Sequence, residues 1–182
     1  EGGASQVMTG FNSLTFEDLR ELEKLKTIER LAPVIFVSGR SSYGREDASP
    51  QVLGVVPDFF TNQKMSAEYG RLLDADDNEG GKEVAVLGPD VVDDLFGSID
   101  PINKRIKIGD NHYTVIGVAV ALGSQFFQNA DERIYVPYSV AKDVTGQRYL
   151  NYITMLATEN FDLAFEDVNA LLRRRHGIEN PE

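Results

Sequence analysis

VAVLGPDVVDDLFG, residues 84–97, runs from an apolar segment through Gly88 and Pro89 into a helical pattern. What Gly88 does there decides the fold. A glycine turn ahead of a helix can cradle a phosphate, and a phosphate turn would go with a parallel nucleotide-binding sheet. The turn has one glycine where the G-x-G-x-x-G pattern needs three, no P-loop lysine follows, and Asp90 adds negative charge to the first helical turn. The segment therefore reads as a strand, a tight turn and a two-turn packing helix. Pro89 suits the first helical position, and Val91, Val92, Leu95 and Phe96 gather on one side. Gly97 ends the helix.

Upstream, LTFEDLRELEKL offers Thr15 as a cap, Asp18 as the acid that reaches back, and Leu14 as a staple onto Leu19. Leu19, Leu22 and Leu25 keep helical spacing, which predicts a helix over 16–30 that stops before Pro33. VIFVS (34–38) and QVLGVV (51–56) read as strands, separated by GRSSYGREDASP, a polar turn-rich segment. Pro57 and Asp58 open a short helix. GRLLDADDNEGGK (70–82) breaks all periodicity and reads as a surface loop. RIKIGDNHYTVIGV places two strands around Gly109, Asp110 and Asn111, and RIYVP (133–137) and YITMLA (152–157) are further strands. In the closing helix Phe161, Ala164, Phe165, Val168 and Leu171 share a face, with Arg173, Arg174 and Arg175 near its negative end. That order predicts a mixed α+β fold without the strand-helix alternation of a parallel sheet.

Composition narrows the function. The 182 residues carry 29 acidic and 18 basic side chains, a net charge of -11, and such a surface repels the phosphates that supply most nucleic-acid affinity. Cysteine is absent, which removes disulfides, thiolate catalysis and cysteine-ligated metals. The apolar runs at 52–60 and 113–123 fall short of the roughly 20 residues of a membrane helix. Residues 1–8, EGGASQVM, show neither the basic start nor the apolar run of a signal peptide.

The chemical motifs fail at their specific positions. Asp74, Asp76 and Asn78 alternate as calcium ligands do, but the sixth and twelfth positions counted from Asp74 are Glu79 and Ala85, where an EF-hand wants Gly and Glu. A non-EF calcium site in 74–79 stays open at this stage. His112 and His176 lack the neighbours of a zinc site and read as structural, with His176 beside a helix end that favours a cation. SGRSS has no nucleophile elbow, and Asp93 and Asp94 point different ways on their helix. No catalytic, cofactor-binding or metal-ligating residue is assigned, and no cofactor is expected.

The succession of motifs resembles the extracytoplasmic core domain of MacB-type ABC transporter permeases. VLGVVPDFF, GRLL with Asp76 following, VAVLG, LFG, DPINKRIKIG, YTVIGV, DERIYVPY and LLRRRHG occur in that family's order from about 14 to 177. One departure is Asn103, where the family usually has glycine, although Asn tolerates left-handed backbone. The resemblance implies two lobes: a porter-like lobe from 1–57 and 145–182, and a β-rich inserted lobe from 58–144. It implies a non-catalytic domain on the periplasmic side of the inner membrane, carried by flanking membrane helices absent from this sequence. Family members dimerise, work with an ABC ATPase domain or subunit and often with a periplasmic adaptor, and couple cytoplasmic ATP hydrolysis to export or release of a substrate. Two other readings remain beside it. One is a free-standing periplasmic module binding a small ligand or ion, suggested by the acidic loop; the other is a hydrolase built on a carboxylate pair.

Overall fold

The computed structural model describes residues 5–7, 14–123 and 129–177. In chain order its elements are β1 (Ser5–Val7), β2 (Leu14–Thr15), α1 (Phe16–Leu22), β3 (Ile28–Val37), β4 (Ser41–Tyr43), β5 (Glu46–Ala48), β6 (Gln51–Val55), α2 (Pro57–Asn62), β7 (Ala67–Gly70), α3 (Ala75–Glu79), β8 (Val84–Leu87), α4 (Pro89–Phe96), β9 (Arg105–Ile108), β10 (Asn111–Ala119), β11 (Arg133–Pro137), α5 (Tyr138–Thr145), β12 (Tyr149–Leu150), β13 (Tyr152–Ala157) and α6 (Phe161–His176). Eleven strands join in one mixed sheet, ordered β1-β13-β3-β6-β11-β8-β10-β9-β4-β5, with β7 paired to β10 off that path. This is the mixed α+β class that the order of elements predicts.

Alternation along the central strands gives the sheet two apolar faces. Ile35, Val52, Ala85, Leu87, Ile134 and Val136 pack on one side together with residues of α1, α4, α5 and α6. Val34, Leu53, Val55, Val86 and Tyr135 pack on the other, under Phe59 and Phe60 of α2. The period-2 pattern places successive side chains on opposite faces, so strands covered on both sides are apolar throughout. Burying each such side chain contributes roughly 1.5–3 kcal/mol. Four of the quoted motifs, VLGVV, RIYVP, VAVL and YTVIGV, supply β6, β11, β8 and β10, which are adjacent in the sheet.

The turn at Gly109 and Asp110 joins β9 to β10 in register from Asn111 opposite Ile108, as the hairpin reading expects. Pro57 and Pro89 open α2 and α4, and Gly97 stops α4 at a φ of 57°.

Four expectations are corrected. The helix expected over 16–30 ends at Leu22, and residues 28–37 form β3. Leu25 fits helical spacing, but the chain after Leu22 passes through tight turns, and pairing of residues 28–34 with β13 outweighs local propensity. Pro33 does not follow a helix; it sits inside β3 opposite Ile153, before pairing with β6 begins at Val34. The polar segment 39–50 is largely a hairpin, β4 with β5, laid against β9. Its Tyr43 packs on Phe96 of α4 with ring centroids 4.3 Å apart. The surface loop expected at 70–82 contains α3, closed by a reciprocal cap between Asp74 and Asp77. Finally, Phe165 lies outside the buried face of α6, 39% exposed, where it stacks on Phe161.

Candidate functional site

Gly88 joins β8 to α4 and does not present a phosphate cradle. Its N–H, a donor that such a cradle would offer, donates to the Arg133 carbonyl at 2.7 Å. A β-carbon at this position would overlap the Asp131 carbonyl, so close approach of two backbones is what requires glycine.

The acidic loop has other uses for its carboxylates. Asp74 Oδ1 accepts from the Asp77 N–H at 3.0 Å, and Asp77 Oδ2 accepts from the Asp74 N–H at 3.0 Å. Arg71 grips Asp77 with both terminal nitrogens, Nη1 to Oδ2 at 2.6 Å and Nη2 to Oδ1 at 3.0 Å. The Arg71 guanidinium outweighs the burial of Asp77 and holds its carboxyl at about 2. Asn78, third in the alternating ligand pattern, accepts from the Ser139 N–H through Oδ1 at 2.9 Å. Of the three expected oxygen donors, Asp74 serves the cap and lies 3.2 Å from Arg71 Nη1, Asn78 ties α3 to α5, and Asp76 is exposed. Among the described residues no three His, Asp or Glu side chains gather to hold a metal ion. The D-x-x-D spacing of Asp74 and Asp77 was the legible signal for this cap.

A second buried carboxylate ties the two helices nearest the chain ends. Asp18 Oδ1 accepts from Arg175 Nε at 2.6 Å, and Oδ2 lies 2.9 Å from His176 Nε2. Asp18 also accepts from the Thr15 N–H at 2.9 Å, completing the α1 capping box. Burial pushes the Asp18 carboxyl up, but the bonds from Arg175, Thr15 and His176 bring it below its ordinary value. His176 is structural here, while His112 is exposed on β10 beside Lys107 of β9. Asp93 and Asp94 are both exposed on α4.

A groove of about 380 Å³ opens beside α4. Its walls are mainly apolar, from Pro89, Val92, Pro101 and Val118, and Tyr69 of β7 stands over it. Sequence reasoning missed this feature, because it is made by strand β7, which carries no periodic signal.

This fold is shared with the extracytoplasmic parts of two transporter proteins. It matches the periplasmic region of MacB from Actinobacillus actinomycetemcomitans with a TM-score of 0.80 at 24% identity, covering 92% of this chain and 77% of that one. It matches the extracellular domain of the ABC-type transporter YknZ from Gram-positive bacteria with a TM-score of 0.78 at 22% identity, covering 92% and 86%. The chain belongs to the MacB-like periplasmic core domain family, which matches residues 2–173. The macrolide export ATP-binding/permease protein MacB of Chlorobaculum tepidum is 32% identical over 181 residues, 97% of this chain and 28% of that protein. Its counterpart in Neisseria meningitidis is 30% identical over 172 residues, 92% of this chain and 27% of that protein. The chain therefore spans little more than a quarter of these relatives. Among the described residues no helix is long and apolar enough to cross a membrane.

Proposed function

We propose that this domain is the periplasm-facing part of an inner-membrane ABC transporter permease, and that it couples cytoplasmic ATP-driven motion to export or release of a substrate. The observation that carries this reading is the family match, which takes in nearly every described element from β1 to α6. Supporting it, β1 and α6 both contact β13, so the first and last described elements share a neighbour in the fold. That arrangement suits a domain inserted between two neighbouring membrane helices. The domain itself is non-catalytic in this reading: Asp18, Asp77 and Asn78 hold structure together. The full protein acts as a dimer with an ABC ATPase domain or subunit and a periplasmic adaptor. In this reading the chain comprises two lobes, 1–57 with 145–182 and the inserted 58–144, joined through the β6–β11 pairing. Relatives carry macrolide export in their names, and an exported molecule of that kind is a suitable first substrate to test.

Placement is tested by labelling. Because this chain has no cysteine, Ser49→Cys, exposed between β5 and β6, can be the single reactive thiol of an otherwise cysteine-free transporter. A membrane-impermeant maleimide should label it in cells with a permeabilised outer membrane and an intact inner one. Labelling only after lysis of the inner membrane would overturn the proposal.

A further inference from the structure

Strand β7 pairs with β10 out of step. Tyr69 stands opposite Val118 and Ala67 opposite Ala119, so Glu68 is an extra residue between two consecutive partners. In a regular strand Glu68 and Tyr69 would point to opposite faces, whereas the bulge lets both line one groove. Across from them, Pro89, Val92 and Asp93 stand at i, i+3 and i+4 of α4 and share a face of the helix. The groove is thus framed by a bulged strand and a helix, and its volume of about 380 Å³ falls within the range of small-molecule sites.

Its charge is one-sided. Glu68 and Asp93 line it, none of its lining residues is a lysine or arginine, and neither carboxylate forms an ion pair within the described residues. A neighbouring groove of about 510 Å³ shares Asp93 and differs in having a cation of its own, Arg45, among the carboxylates of Glu46, Asp93 and Asp94. Tyr69 is 62% exposed, which leaves its ring face open to an occupant. An aromatic face and a carboxylate both attract a cation, and apolar walls favour an occupant whose charge is carried on a hydrophobic body. A hydrated inorganic cation gains nothing from those walls, and an anion is repelled.

We infer that this groove binds a hydrophobic organic cation of small-molecule size. The body of the ligand lies against Tyr69, Val92, Pro101 and Val118, and its charge lies beside Glu68 and Asp93. The site is a property of the domain alone, so it stands or falls separately from the transport reading.

Tetraphenylphosphonium and tetraphenylborate share a shape and differ in the sign of their charge, which makes them a direct test by titration calorimetry on the 182-residue chain. Saturable one-to-one binding of the cation is expected, with the anion weaker by about ten-fold or more. The double variant Glu68→Gln/Asp93→Asn should weaken the cation by about ten-fold and erase the preference, while Tyr69→Ala should weaken both ions. All these positions are exposed, and unchanged melting curves would show that the variants fold. Equal affinity for the two ions, non-saturable uptake of the cation, or a double variant that binds as the parent does would each overturn the assignment.

Discussion

Gly54 of β6 lies so close to Ala141 of α5 that a β-carbon on Gly54 would overlap the Ala141 methyl. The contact sets how near α5 sits to the centre of the sheet. Both residues are buried, and the packing there is too tight to absorb another methyl. Gly54→Ala should therefore cost about 2 kcal/mol in chemical denaturation. Adding Ala141→Gly removes the clashing methyl, so the double variant should lose less than the sum of the two single changes. Additive losses would show that the contact does not limit the packing.

Asp77 makes stability depend on acid pH. Its carboxyl is fully buried and held at about 2, against an ordinary value of 3.8. A depressed carboxyl stabilises the fold at pH values above its unfolded value, and that contribution is lost as pH falls through the folded value. Asp77→Asn should thus lower stability by about 2 kcal/mol at neutral pH, and the difference from the parent should vanish between pH 4 and pH 2. Urea unfolding across that range measures it.

The Asp18 tie between α1 and α6 should show as local protection from exchange. Asp18→Ala removes the cap at Thr15 and the bond to Arg175, a loss of about 2 kcal/mol. Amide hydrogen exchange should speed up in α1 and in the last turn of α6 while the β9–β10 hairpin stays protected. Uniform acceleration across the chain would mean that the tie is not local.

Asn103 holds a left-handed backbone, with a φ of 65°, while its N–H donates to the Val115 carbonyl at 2.8 Å. Asn103→Gly should leave stability within about 0.5 kcal/mol of the parent, whereas Asn103→Val should cost about 1–2 kcal/mol. Thermal melting of the two variants separates these outcomes.

Much of the fold was legible where local pattern and tertiary environment agree. The β9–β10 hairpin alternates and carries a two-residue turn, and α4 has a proline at its start and a glycine past its end. Asn103 was recognisable as a glycine substitute. The failures share one cause, a long-range partner that local spacing does not reveal. Leu25 kept helical register, yet residues 28–37 were claimed by β13 and β6. Tyr43 looked like part of a loop until Phe96 gave it a packing partner. Helix α5 went unread because it follows Pro137 directly and shows only Val140 and Ala141 as a buried face. The groove was invisible for the same reason: its geometry comes from a shift in pairing between β7 and β10, and no single segment encodes that.

Coupling is tested most directly in the full-length transporter, reconstituted in liposomes, by replacing residues 14–177 with a flexible linker. ATP hydrolysis and movement of the substrate that the intact protein transports are measured side by side. Hydrolysis that continues while transport falls to background is the expected result. Transport at the level of the intact protein would contradict a coupling role for this domain.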